Sequence, residues 1–231
     1  LSCNWPIRPS ICCFGIIRIP VKAVGSVNQE ACYMAIPFSQ ACENNKASIL
    51  SILNQYFQSG ITVLEIGSYT TQHVQYFAQQ LPEVTWLPSD MPKNLAMVEG
   101  GLALEETPNI LSPLALDVSQ EQWPVEQTEG IFSANTLHIM SEKHVERFFI
   151  GAGKILLPQC YLCVYGPFKY EGNYTSDSNA SFQEWLQERN PASGIRDFET
   201  VDGLATEAGM KFVADHVMPA NNQLLVWQKK G

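Results

Sequence analysis

Glu65 and Gly67 close the run Ile61-Thr62-Val63-Leu64-Glu65-Ile66-Gly67, Asp90 closes Val84 to Ser89, Asp117 closes Ile110 to Leu116, and Asn135 closes Gly130 to Ala134. Polar groups at the ends of successive apolar runs are the material of a ligand-binding rim. The one that falls about 20 residues beyond a glycine turn is placed to accept ribose hydroxyls, and Asp90 holds that position. Asp90 and Asp117 have a second use open to them, as caps of the segments that follow their strands. His73 and His138 come just past rim positions. Imidazole titrates near neutrality, so either can accept a proton from an O–H or N–H group, and either can equally be a packed, hydrogen-bonded ring. Tyr165, with Phe168, Tyr170, Tyr174 and Trp185 beyond it, supplies aromatic surface for a pocket wall or for loop packing. Arg196 beside Asp197 suits an anionic ligand or an internal ion pair.

The elements that hold these residues follow from periodicity. Val74, Phe77, Ala78 and Leu81 recur at helical spacing directly after the Gly67 turn, so strand, turn and helix follow in immediate succession. A helix over Asn45 to Gln58 precedes that strand, with Ile49, Ile52, Leu53 and Tyr56 on one face. Val84 to Pro88 reads as a second strand, Ile110 to Asp117 as a third, Gly130 to Asn135 as a fourth and Tyr161 to Tyr165 as a fifth. Helices around Leu95, Val98 and Leu102, and around Val145, Phe148, Phe149, Ala152 and Leu156, fill the intervals. A helix from Asp197 to Ala208 ends at Gly209 in the C′ position. Lys211 to Val217 and Gln223 to Gln228 are then joined by too few residues for a crossover, so they pair antiparallel. The expected architecture is α/β: a mostly parallel seven-stranded sheet ending in an antiparallel hairpin, helices on both faces, strand ends sharing one ligand-binding rim.

Composition narrows the partners. A formal net charge of -9 disfavours nucleic acid, whose binding rests on clustered Lys and Arg. The apolar run Ile11 to Ile19 contains Arg18 and is far shorter than the roughly 20 residues of a membrane span, so no membrane role is expected. Seven scattered cysteines make no disulfide framework and point to the cytoplasm. Cys160 and Cys163 have redox spacing inside an apolar run, where two strand cysteines on opposite faces are the expected reading. His73, His138, His144 and His216 stand singly, so no metal is expected. Residues 1–33 show neither periodicity and contain Arg18 and Pro20 where a signal peptide needs an unbroken apolar stretch. They read as an extension apart from the core, non-native or disordered, with Met34 as the natural start and residues 34–231 as a single domain.

Several motifs fall in a recognisable order: Phe38-Ser39-Gln40-Ala41-Cys42-Glu43-Asn44-Asn45-Lys46, Gln72-His73, Trp86-Leu87-Pro88-Ser89-Asp90, Leu116-Asp117-Val118, Tyr165-Gly166-Pro167-Phe168, Thr175-Ser176 with Ser178-Asn179, Gly194-Ile195-Arg196-Asp197 and Met218-Pro219-Ala220-Asn221-Asn222. Over Pro37 to Trp227 the chain resembles the methyltransferase-like protein 26 family. That resemblance implies a Rossmann-like class I methyltransferase fold and methyl transfer from S-adenosylmethionine, with a small-molecule acceptor favoured by the acidic charge balance. It implies Glu65, Gly67 and Ser68 at the donor's methionine part, Asp90 at the ribose, Asp117 at the adenine and Asn135 at the methyl-bearing end, with His73, His138 and Tyr165 as catalytic candidates. The turn departs from the family pattern Ala-Ser-Gly-Thr-Gly-Gln-His, reading Gly67-Ser68-Tyr69-Thr70-Thr71-Gln72-His73. Tyr69 and Thr71 in place of glycines open an alternative: a binding module that keeps the fold and has lost the donor. A nicotinamide-dependent oxidoreductase is disfavoured by the missing glycines and the terminal hairpin.

Overall fold

A computed structural model describes residues 14–21 and 32–231, with side chains from residue 37 onward. Strands β1 (Phe14–Val21) and β2 (Cys32–Ser39) pair antiparallel, Phe14 opposite Ser39 and Val21 opposite Cys32. This ladder spans the boundary expected at Met34; residues 1–13 and 22–31 of the expected extension lie outside the described residues. Ser39 ends β2 and caps helix α1 (Gln40–Tyr56), its hydroxyl accepting from Cys42 N–H.

Then follow β3 (Thr62–Ile66), α2 (Gln72–Gln80), β4 (Thr85–Asp90), α3 (Leu95–Leu102), β5 (Leu114–Ala115), β6 (Thr128–Ala134), α4 (Glu142–Ile155) and β7 (Leu156–Gly166). After them come β8 (Phe168–Tyr170), β9 (Asn173–Tyr174), α5 (Asp177–Arg189), β10 (Arg196–Asp197), α6 (Phe198–Glu207), β11 (Met210–Met218) and β12 (Asn222–Lys229). The main sheet has the order β11-β12-β7-β6-β3-β4-β5. Neighbours from β7 to β5 run parallel, whereas β12 is antiparallel to both β7 and β11. The expected seven strands and terminal hairpin are therefore present.

Alternate residues of the central strands enter opposite halves of the core, the result of a side-chain period of two in strands covered on both faces. Leu64, Ile131, Leu162 and Trp227 pack toward α4 and α6, while Val63, Phe132, Cys163 and Val226 pack toward α1 and α2. Cys160 joins the first group and Cys163 the second, so this pair sits on opposite faces of β7. No helix among the described residues is long and apolar enough to cross a membrane.

Two segments differ from the sequence expectation. The third strand, expected over Ile110 to Asp117, contracts to Leu114–Ala115 with a single bridge between Trp86 and Ile110. Pro113 has no N–H to donate to β4, which confines the ladder to the residues after it. The segment after Gly166 holds α5 and a small sheet of order β10-β8-β9, neither of which shows in the periodicity. Only Asn179 and Leu186 are buried on α5, so no apolar stripe marks it.

Candidate active site

The crossover from β3 to α2 has positive φ at one glycine and at two residues that are not glycine. Gly67, Tyr69 and Thr71 have φ of 87°, 22° and 61°. At Gly67 only hydrogen fits, since a Cβ would stand 2.6 Å from Thr136 Cγ2. Thr71 is accommodated because Gly101 of α3 faces it; a Cβ on Gly101 would lie 2.5 Å from Thr71 Oγ1. Non-glycine residues in such conformations cost about 1–3 kcal/mol each and persist only where the surroundings enforce them.

The turn's polar groups face inward. The N–H groups of Gly67 and Ser68 both donate to Ser89 C=O, at 2.9 and 3.0 Å. Ser68 Oγ donates to Glu65 Oε2 at 2.5 Å, and Thr71 Oγ1 to Thr70 C=O at 2.7 Å. Glu65 is 2% exposed. Burial raises its pKa to about 7, the Ser68 hydrogen bond opposing this and the Asp90 charge adding to it. Glu65 and Ser68, expected to touch a ligand, are engaged with each other, because the buried carboxylate needs a donor and the serine hydroxyl is the one in reach.

Asp90 accepts hydrogen bonds on both carboxylate oxygens. Its Oδ1 accepts from Met91 N–H and Asn94 Nδ2, tying it to the turn at Pro92–Asn94 without capping that turn's N–H groups, and its Oδ2 accepts from Tyr69 N–H at 2.9 Å. Asp117 accepts from Ser119 N–H at 2.9 Å, and the backbone and side-chain hydrogen bonds from Ser119 hold its carboxyl below the usual range. Asn135 has φ of 59°, and its N–H donates to Tyr165 C=O at 2.8 Å, tying the ends of β6 and β7 together.

Beside Asn135 the rim opens into a cleft of ≈ 220 Å³. Asn135, Tyr165 and Pro167 form its floor at the ends of β6 and β7; Ala41, Asn44 and Asn45 of α1 form one wall. Ser178, Asn179 and Phe182 of α5 face them, and the turn from Pro219 to Asn222 closes the end. Of the expected site residues, Asn135 and Tyr165 line this cleft; Glu65, Gly67, Ser68, Asp90 and Asp117 do not.

His73 stands behind the wall. Its ring stacks on Phe77 at 5.5 Å and its Nε2 meets Asn45 Oδ1 at 2.7 Å. Burial pushes its pKa down to about 4, Lys46 adding to the fall and Glu43 opposing it, so the ring is neutral. The neighbouring Gln72 exchanges hydrogen bonds with Ser39 and also donates to Glu43. Gln72-His73 thus clamps the start of α2 onto the start of α1 and orients Asn45.

His138 is 4% exposed, and burial first, then the charge of Arg196, brings its pKa down to about 4. Its ring meets the cleft-lining Phe182 edge-on at 5.2 Å. Arg196 holds the loop that carries it, donating to the carbonyls of Leu137, Met140 and Ala192, with Glu142 at 3.9 Å. The internal ion pair is present with Glu142 rather than Asp197, but the three nearer carbonyl acceptors do most of the anchoring. Asn45, Asn179 and Phe182 had no assigned role in the sequence. Asn45 and Asn179 fall within quoted motifs, the one signal that marked them.

Sheet order, antiparallel seventh strand and rim cleft together define a class I methyltransferase fold. The chain belongs to the family described as protein of unknown function (DUF938), whose model matches residues 36–229. Among solved structures it is similar to the S-adenosylmethionine-dependent methyltransferase SibL, with a TM-score of 0.70 at 16% identity over 83% of this chain and 56% of that one. It is also similar to an O-methyltransferase family 2 protein of Planctomyces limnophilus in complex with apigenin, at TM-score 0.69, 17% identity, 82% of this chain and 58% of that one. Human N-acetylserotonin methyltransferase in complex with SAM matches at TM-score 0.67, 14% identity, 80% of this chain and 52% of that one. This chain thus spans a little over half the length of these proteins.

Proposed function

We propose that this chain binds S-adenosylmethionine along the rim and transfers its methyl group to a small cytoplasmic molecule held in the cleft. The observation that carries this reading is the cleft itself, which opens at the ends of β6 and β7 beside Asn135, where the donor's methyl end falls in this fold. The motif resemblance to methyltransferase-like protein 26 supports it. The donor set suits a nucleoside chemically. A carboxylate has about four acceptor positions; three donors occupy Asp90, leaving one for a ribose hydroxyl. Asp117 has an oxygen to spare for the adenine amino edge, and the Asn135 amide has no hydrogen-bond partner among the described residues.

When bound, the donor supplies an electrophilic methyl group whose leaving group is a neutral thioether, so the protein needs no nucleophile. Placement of the two reactants can account for about 7–11 kcal/mol of the barrier. Asp90 and Asp117 would hold the nucleoside, Asn135 would orient the reacting end, and Gly67 with the Glu65–Ser68 pair would keep the turn in shape from behind. His138, neutral at physiological pH, would accept the proton of an O–H or N–H acceptor at a ring nitrogen once Phe182 shifts aside. Tyr165 would wall the reacting pair from water. His73 would act through Asn45.

The positive φ at Tyr69 and Thr71 favours a second reading, a fold that no longer takes the donor. Calorimetry on the full chain with S-adenosylmethionine and S-adenosylhomocysteine separates the two. The proposal expects saturable binding that weakens at least tenfold in Asp90→Ala, about 1.4 kcal/mol. No binding until Tyr69→Gly and Thr71→Gly are combined would establish the second reading.

A further inference from the structure

The cleft that the proposed function assigns to the acceptor has no charged residue in its lining among the described residues. Its polarity comes from carboxamides, and their hydrogen bonds to the protein are incomplete in a defined way. Asn45 is 6% exposed, and its Oδ1 is taken by His73 Nε2. An amide oxygen only accepts, so the ring Nε2–H is the donor in this contact, which leaves Asn45 Nδ2 as a donor. Asn179 is 5% exposed; its Nδ2 donates to Thr175 Oγ1 at 2.8 Å and to Asn221 C=O at 2.9 Å, leaving Oδ1 as an acceptor. Neither atom is among the fully sealed unpartnered ones, which are Trp86 Nε1, Thr107 Oγ1 and Trp123 Nε1 among the described residues. Both residues line the open cleft, and each keeps one amide group without a partner in the hydrogen bonds above, one a donor and one an acceptor, so the pair selects for complementary chemistry in what fills it.

The wall that carries them is preset. Asn179 and Ser178 hold the turn at Pro219 to Asn222 through Asn221 C=O and Asn221 Nδ2, and Ala220 and Asn221 both have positive φ, 59° and 58°. Strain of this kind is retained where neighbours enforce it, often at ligand sites. Phe182 and Tyr165 add flat apolar surface. The volume of ≈ 220 Å³ falls below the roughly 300–1,000 Å³ of clefts that hold drug-sized ligands.

We infer that the cleft takes an uncharged, single-ring molecule that presents a hydrogen-bond acceptor to Asn45 Nδ2 and a donor to Asn179 Oδ1, as a carboxamide or a phenolic ketone does. A carboxylate, phosphate or ammonium group has no counter-charge in the lining and would bear the full cost of desolvation there. This rests on the proposed function only for calling the occupant a methyl acceptor; the occupant's chemistry rests on the cleft.

Ligand-observed NMR on the full chain, with no methyl donor present, tests it with three ring-sized probes: benzamide, benzoate and benzylammonium. Benzamide is expected to bind saturably, in the millimolar range of a fragment this size, and the two ions to bind at least tenfold more weakly. Asn45→Asp keeps the oxygen that His73 needs and removes the donor, so benzamide affinity should fall at least tenfold. Asn135→Gly preserves the positive φ, removes a cleft amide that makes no hydrogen bond among the described residues, and should weaken benzamide without unfolding the chain. Equal binding of benzamide and benzoate, no benzamide binding, or unchanged affinity in both variants would overturn the inference. Donor calorimetry is independent of these outcomes. Donor binding with benzamide rejected removes this inference and leaves the proposed function, whereas benzamide binding without donor binding does the reverse.

Discussion

A side chain at positive φ is informative because the order of substitution there inverts. At an ordinary exposed position glycine is less stable than alanine by roughly 0.5–1 kcal/mol, through the entropy of the unfolded chain. At Tyr69, with φ of 22°, any Cβ carries the strain and glycine alone escapes it. Tyr69→Gly should therefore be more stable than Tyr69→Ala by about 1 kcal/mol or more, read as the difference in urea midpoints at equal slope. Alanine equal to or better than glycine would show that the turn relaxes and stores nothing. Of the residues that form the site, those at strand ends were visible in the sequence because an apolar run stopping at a polar residue is a one-dimensional signal. What Asp90 and Glu65 do was not visible. It depends on Tyr69 N–H and Ser68 Oγ arriving from the turn, and on Asn94 arriving from the following segment. Arg196 is similar: its three carbonyl partners lie up to 59 residues away.

Helix packing gives opposite expectations for two glycines on neighbouring helices. Gly153 of α4 lies against the end of α6, where a Cβ would stand 2.4 Å from Ala208 C=O and 2.8 Å from Ala208 Cβ. Backbone cannot yield as a side-chain tip can, so Gly153→Ala forces the helices apart, and overpacking of this kind costs about 1–3 kcal/mol. Gly203 lies inside α6, and a Cβ added there would meet nothing within 4 Å. Gly203→Ala therefore keeps only the helix-propensity gain, a stabilisation of about 0.5–1 kcal/mol. Thermal unfolding of both variants checks the pair: the first should lower the midpoint and the second raise it. Elements with strong periodicity, such as α4 with Val145, Phe148, Phe149 and Ala152 buried, were legible in the sequence for the same packing reason. Helix α5 was not, since it buries only Asn179 and Leu186 and lines the cleft with Asn179 and Phe182 instead of setting a stripe against the core. The shortened β5 was lost to Pro113, whose effect on an edge ladder depends on which neighbour it faces.

At the scale of the whole molecule, three of the fully buried titratable groups among the described residues set opposing slopes of stability across the acid to neutral range, each about 1.4 kcal/mol per pH unit while it is active. His73 and His138 have folded pKa values lowered from 6.5 to about 4. The unfolded chain binds their protons first, so their contribution is complete above pH 6.5 and is lost as the pH falls toward 4. Glu65 is raised from 4.5 to about 7. Its contribution is complete below pH 4.5 and is lost as the pH rises through 7, a total of about 3 kcal/mol. Between pH 4.5 and 6.5 the two histidines outweigh the one glutamate, so these groups make stability climb by about 1.4 kcal/mol per unit. Above pH 6.5 only the Glu65 loss continues, and it is complete a little beyond pH 7. Glu65→Gln keeps an acceptor for Ser68 Oγ and deletes the opposing slope. The variant should gain on the parent progressively from pH 4.5, reach an advantage of about 3 kcal/mol by about pH 8, and hold a plateau where the parent declines. Urea midpoints measured from about pH 4.5 to 8 in both proteins give the difference directly, free of every other titrating group that the two share. A constant offset across that range would mean that Glu65 titrates alike in the folded and unfolded chains, and that the carboxyl behind the turn is in contact with water.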